Sequence, residues 1–127
     1  MFITVELKNG KKIYIKELTE YVRPLAKNIT TVYIYPEWMD YIFVYHYNRS
    51  WFADPVHIRD SLKSNSIISV SSPNDIKNNF NSTSFILVNG SVNDTLLNNF
   101  LLKNYSVQVK KYFGVDLCVQ VFNANKK

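Results

Sequence analysis

The chain is short of the residues on which several kinds of chemistry depend. Its 127 residues hold one cysteine, Cys118, three glycines and two histidines. A single thiol closes no internal disulfide and builds no cysteine-based zinc site, so a reducing compartment is the natural setting and a cytoplasmic location is expected. Three scattered glycines supply no phosphate-cradling loop, and neither His-Glu-x-x-His nor Gly-x-Ser-x-Gly occurs. No cofactor and no metal are expected. The longest purely apolar runs are about four residues, as at Phe85 to Val88, against the ~18 that cross a bilayer, so no membrane partner is expected either. Met1 to Glu6 carries no positive charge and ends on a carboxylate, which is not the opening of a signal peptide.

What is present is skewed. Gly, Ala, Arg and Pro together number 13, whereas Phe, Tyr, Met, Ile, Asn and Lys number 57. The first set is coded by GC-rich codons and the second by AT-rich ones, so the gene belongs to an AT-rich genome. Six Asn-x-Ser/Thr sequons follow from fifteen asparagines rather than from export. With 46% hydrophobic and 20% charged residues, the length suits one globular domain over residues 1–127. The net charge of +5 divides into +2 for residues 1–63 and +3 for residues 64–127, so no basic arm stands apart.

Periodicity predicts the elements. Ile3, Val5 and Leu7, then Ile13 and Ile15, alternate around Asn9-Gly10, which predicts a β-hairpin over residues 2–16. Leu18, Tyr21, Val22 and Leu25 have helical spacing until Pro24 interrupts, giving a short helical turn. Residues 31–35 and 41–47 read as two more strands, with Val32, Ile34, Ile42, Val44 and His46 opposite Tyr33, Tyr35, Tyr41, Phe43, Tyr45 and Tyr47. Asp54-Pro55 opens a helix toward Leu62, and Ser66 to Val70 is a short strand. Ser72-Pro73 opens a helix toward Phe80, and the apolar run Ser84 to Asn89 is a strand buried on both sides. Leu97, Leu101, Tyr105, Val109 and Phe113 repeat every four residues, predicting a long helix from Asp94 to Phe113 capped by Gly114, although the alternation of Tyr105, Val107 and Val109 leaves a strand open there. Val115 to Phe122 closes the chain as a strand. The expected fold is α+β and two-layered. N-terminal antiparallel β-hairpins form a sheet, a strand-helix-strand half follows, and helices pack on the aliphatic face. If strands 84–89 and 115–122 are parallel, a right-handed crossover joins them.

The tyrosines do not follow the codon skew: seven of nine fall before residue 48, and five fall between 33 and 47. The expected hairpin lays these rings on one face, with Lys12, Tyr14 and Lys16 alongside if the first hairpin extends the sheet. Tyrosine buries its ring while keeping its hydroxyl wet, and Trp, Tyr and Arg dominate the energetics of protein interfaces. Tyr33, Tyr35, Trp38, Tyr45, Tyr47, Arg49 and Trp51 are therefore the candidate binding residues. The bland alternative, at even weight, is a helix covering the face and making the rings core. If the face is open, a protein is the expected partner. The expected function is then a small intracellular binding protein without catalysis, of the kind a virus, phage or mobile element uses to block a host factor. Two alternatives stand beside it. Rings flanked by lysines hold single-stranded nucleic acid or a nucleotide, with Arg49 on a phosphate. His46 and His57, near Asp54 and Asp60, have the residue types of an acid/base hydrolase or nuclease but no recognised spacing. An exposed aromatic hairpin also suits a homodimer interface.

Overall fold

The computed structural model describes residues 5–6, 12–29, 31–79, 84–114 and 116–123. Val5–Glu6 (β1) and Lys12–Ile13 (β2) pair antiparallel, with Val5 opposite Ile13. The Asn9-Gly10 turn expected between them lies outside the described residues. This hairpin is a two-stranded sheet of its own and does not extend the central one, which corrects the expected N-terminal arrangement.

Helix α1 (Ile15–Leu25) buries Ile15, Leu18, Thr19 and Val22, three and four residues apart. Pro24 does not shorten it to a turn. Its missing N–H falls in the last turn, and Ala26 still bonds Val22 O at 2.9 Å. Strand β3 (Val32–Tyr35) follows, buried along its whole length. A 3₁₀ turn (Glu37–Met39) then leads into α2 (Asp40–Tyr47), where a strand was expected. Asp40, Phe43 and Val44 are its buried positions, again at helical spacing. Two more 3₁₀ turns, Arg49–Ala53 and Pro55–His57, lead into α3 (Ile58–Ser64). Strand β4 (Ile67–Ser69), α4 (Pro73–Asn79) and β5 (Ser84–Asn89) come next, close to expectation. Helix α5 (Thr95–Asn104) is shorter than predicted. Its N-cap Asp94 accepts from Leu97 N at 3.0 Å, and Tyr105 turns extended. The remainder of the predicted helix is strand β6 (Ser106–Tyr112), and β7 (Cys118–Asn123) returns beside it.

The central sheet has the order β4-β3-β5-β7-β6. β3 lies parallel to β4 and to β5, with Val32 opposite both Ile67 and Ile86. β5 and β7 run antiparallel, from Ser84 opposite Asn123 to Asn89 opposite Cys118, so no crossover joins them. Among the described residues β6 pairs only with β7, across an irregularity between Val107 and Val109.

The alternation read along β3 is correct, but both of its faces are covered. Val32 and Ile34, with Ile86, Val88, Val119 and Val121, pack against Leu18 and Val22 of α1, Phe43 and Val44 of α2, and Ile58 and Leu62 of α3. Tyr33 and Tyr35, with Phe85, Leu87 and Phe122, pack against Ile76 of α4 and Leu97 and Leu101 of α5. The fold is mixed α+β, but it has helices on both sides of the sheet rather than two layers. A parallel strand flanked by parallel neighbours is normally buried on both faces, as β3 is here.

One close approach fixes the middle of the sheet's carboxyl edge. The Gly90 N–H bonds Tyr35 O at 2.7 Å, tying the end of β5 to the end of β3. A methyl group at Gly90 would run into the Met39 thioether and press on the Pro36 ring.

Candidate functional site

The candidate binding residues divide between the two sides of the sheet. Tyr33 is fully buried, its ring edge-on to Phe85 at 5.3 Å and its hydroxyl donating to Ile76 O at 3.2 Å. Burial, with a smaller contribution from Tyr105, pushes that hydroxyl well above the usual tyrosine range. Tyr35 is also buried and donates to Asp94 Oδ2 at 2.8 Å. These two rings are core, so the expected six-ring hairpin face does not exist. The other five residues lie on the α1–α3 side. Trp38 is 58% exposed and Tyr45 44% exposed, while Tyr47 and Trp51 are half-buried and tilted together at 6.3 Å. Arg49 is exposed at the first position after the helix and its cap.

The helical path of residues 40–47 keeps Tyr41 and Tyr45 on one side, as a strand would, but turns Phe43 into the core and brings the arginines over the rings. Tyr41 and Tyr45, four apart, share the outward side of α2, and Tyr41 is 47% exposed. Phe52 from the following 3₁₀ turn lies 6.4 Å from Tyr41 and 6.3 Å from Tyr45, so the three rings form one patch. The chain has only three arginines, and each stands over a tyrosine of α2. Arg23 lies 4.8 Å from the Tyr47 ring, Arg49 4.5 Å from Tyr45, and Arg59 5.7 Å from Tyr41. A guanidinium over a tyrosine face is attracted by the ring's electron density, by about 0.5–1 kcal/mol at an exposed site. Arg49 is set further by its Nε donating to Tyr45 O at 3.2 Å.

Arg59 is anchored from below. Its Nε donates to Asp40 Oδ2 at 2.6 Å, Ser69 Oγ donates to the same oxygen at 2.9 Å, and Glu37 lies 3.7 Å from Arg59 Nη1. The Asp40 side chain is 1% exposed, and its Oδ1 is buried with no hydrogen-bond partner among the described residues. A first-turn acid of α2 is thus held between α3 and β4, which fixes where the helix begins.

Beside the ring patch, α1 and α2 enclose a cleft of about 600 Å³. Lys16, Thr19, Glu20 and Arg23 line its α1 wall. Tyr45, His46 and Arg49 line the other. His46 is half-buried, and Arg23 Nη2 reaches its carbonyl oxygen at 3.5 Å. Burial first, then Arg49, holds the imidazole below its usual range; Lys16 adds to this and Glu17 opposes it. His57 does not share the cleft. It is exposed on the turn before α3, with Nδ1 2.8 Å from Asp54 Oδ2, and that carboxylate raises its pKa. The two histidines are therefore not brought together as an acid/base pair. Asp54, expected as a helix cap, accepts no capping bond from the backbone.

A second cavity, of about 380 Å³, lies at the carboxyl end of β5 beside Gly90, Asp94 and Asp116. Open α/β sheets often bind ligands where successive connections leave on opposite faces, as they do after β3 and β5. Here the Asp94 carboxylate is already committed to Tyr35 and to the α5 cap, and hydrogen bonding from both lowers its pKa. Asp116 is bound by Asn93 Nδ2 at 2.9 Å. Cys118 is fully buried, and burial pushes its thiol up to about 11, so it is no nucleophile. Among the described residues, no group of three His, Cys, Asp or Glu side chains is placed to hold a metal ion, and no helix is long and apolar enough to cross a membrane.

Arg23 was not singled out from the sequence, and Tyr41, Lys16 and Arg59 were not among the expected binding residues, although Tyr41 was placed on the aromatic face and Lys16 beside it. The one available signal was the spacing of Tyr41, Tyr45 and Arg49 at four-residue intervals. No protein family matches the chain, and no curated protein or solved structure does.

Proposed function

We propose that this is a non-catalytic binding protein whose working surface is the outward side of α2, and that its partner is another protein. The observation that supports this is the pairing of all three arginines with α2 tyrosines beside an exposed tryptophan. Such a surface presents large, rigid contact area with little side-chain freedom to lose, because each guanidinium is already held on its ring. The narrower reading, an intracellular accessory protein of a virus, phage or mobile element that occupies a host factor, draws its support from the AT-coded composition. Single-stranded nucleic acid is the weaker candidate for the patch, since guanidinium groups stand over the rings on which bases would stack.

The test is site-specific photocrosslinking in cells that produce the protein. A benzophenone amino acid replaces Tyr41, and in a control chain it replaces Leu96, which is exposed on α5 across the sheet. A discrete protein adduct from position 41 that is absent from position 96, and weakened by Arg49→Glu, is the expected result. Equal labelling from both positions refutes the surface. A nuclease-sensitive adduct replaces the protein partner with nucleic acid, and an adduct of twice the chain's mass replaces it with a second copy.

A further inference from the structure

The α1–α2 cleft has a charge balance that the fold itself does not use. Of the three arginines, only Arg59 lies within ion-pair distance of a carboxylate among the described residues. Arg23 and Arg49 face the cleft with no such partner, and both are oriented by contacts to carbonyl oxygens and rings. Lys16 is the third cation on the wall. Its partner Glu20, at 3.1 Å, is the one acid among the described residues lining the cleft. Among the described residues that line the opening, three positive groups stand against one negative, with His46 between them and Glu17 of α1 close enough to act on it. Two arginines holding planar donor forks, with no carboxylate of the described residues within ion-pair distance of either, is the arrangement that recognises a doubly charged tetrahedral oxyanion. A single carboxylate would leave one fork unused.

We propose that this cleft binds a phosphate dianion, free or carried on a small phosphomonoester, with Arg23 and Arg49 as its principal ligands and Lys16 and His46 completing the wall. The volume of about 600 Å³ admits a mononucleotide-sized molecule. The site shares Arg23, Tyr45 and Arg49 with the protein-partner surface but opens between the helices, and the His46 readout below is separate from the crosslinking readout, so either reading could fail while the other holds.

His46 reports occupancy directly. Burial opposes its protonation most, and the charged groups that act on it are Arg49 and Lys16, which also oppose protonation, and Glu17, which favours it; Arg23 contacts its carbonyl. A dianion placed among them favours the imidazolium and raises the His46 pKa. The chain has only one other histidine, His57, paired with Asp54 outside the cleft. Proton NMR of the two imidazoles in the full chain, titrated with inorganic phosphate at constant ionic strength, is the experiment. A saturable shift of His46, an upward move of its pKa, and an unmoved His57 are expected. Arg49→Gln and Arg23→Gln should each weaken the midpoint by about tenfold, the loss of one charged hydrogen-bonding group. Adenosine monophosphate binding more tightly than phosphate assigns a phosphomonoester, and equal binding assigns free phosphate. Acetate acting as well as phosphate, adenosine alone shifting His46, or parallel unsaturable drift of both histidines would each overturn the proposal.

Discussion

Replacing Arg59 with methionine keeps the aliphatic stem and removes the cation that sits on Asp40. The Asp40 side chain is 1% exposed against 49% for Arg59, so the substitution strands a buried carboxylate rather than trimming a surface pair. Breaking a fully buried ion pair costs about 3–5 kcal/mol. Here the guanidinium is half in water and Ser69 still donates to Oδ2 at 2.9 Å, which brings the expected loss to about 2 kcal/mol. For a chain of this length that lowers Tm by roughly 8 °C, at about 4 °C per kcal/mol. Asp40→Asn alone removes the charge but keeps a hydrogen-bonding oxygen, and should cost about 1 kcal/mol. Because the two residues touch, the double variant should lose less than the two single losses added, with a coupling of about 1 kcal/mol. Urea melts at unchanged slope measure all four corners of the cycle. An Arg59→Met loss under about 0.5 kcal/mol, or simple additivity, would show that Asp40 does not depend on this partner and that α2 is positioned by packing alone.

Two further outcomes test the sheet's carboxyl edge. Gly90→Ala forces a methyl group against Met39 and Pro36 and should cost about 1–3 kcal/mol by urea denaturation, whereas free accommodation would place Met39 elsewhere. The Asp94 carboxyl is held low in the folded chain by Leu97 N–H and the Tyr35 hydroxyl, so its contribution is present above the unfolded carboxylate pKa and is lost as pH falls below it. Stability of Asp94→Asn, followed from pH 7 to pH 3, should accordingly fall less steeply than that of the parent; parallel curves would remove Asp94 from the acid dependence.

Much of this fold is written locally. Asp94 before a helix, Pro73 at a helical first position and the apolar run Phe85 to Val88 each carry a signal that neighbouring residues do not contradict, and α5, α4 and β5 appear where they point. The stretch from Tyr41 to Tyr47 carries no such signal. Nearly every side chain in it is apolar or aromatic, so neither a period of two nor one of 3.6 is marked, and the β-branched Ile42 and Val44 tip local preference toward a strand. The decision is made by partners distant in sequence. β3 and β4 lie side by side and parallel, and a parallel pair requires a crossover across the sheet instead of a hairpin turn. Residues 36–66 supply it as helical turns. Turning the segment into a helix also moves Tyr45 and Tyr47 off the face they were expected to share with Tyr33 and Tyr35, and leaves those two under α4 and α5.

The second misread boundary has a different cause, which lies in arithmetic. Leu97, Leu101, Tyr105, Val109 and Phe113 recur every four residues, and four is close to one helical turn but is also an even number. The same five positions therefore share one side of a strand as readily as one side of a helix. Leu97 and Leu101 use the spacing as a helix, while Val107 and Val109 lie in β6. What distinguishes the halves is residue type: leucine and asparagine fill residues 96–99, whereas Val107 and Val109 are β-branched, and Tyr105, at the joint, takes an extended backbone that ends the helix. The same arithmetic bears on the candidate site. Tyr41, Tyr45 and Arg49 are also spaced by four, so their sharing one side was compatible with either element. Only the helix brings α1 alongside, and with it the Arg23 and Lys16 that make the cleft cationic.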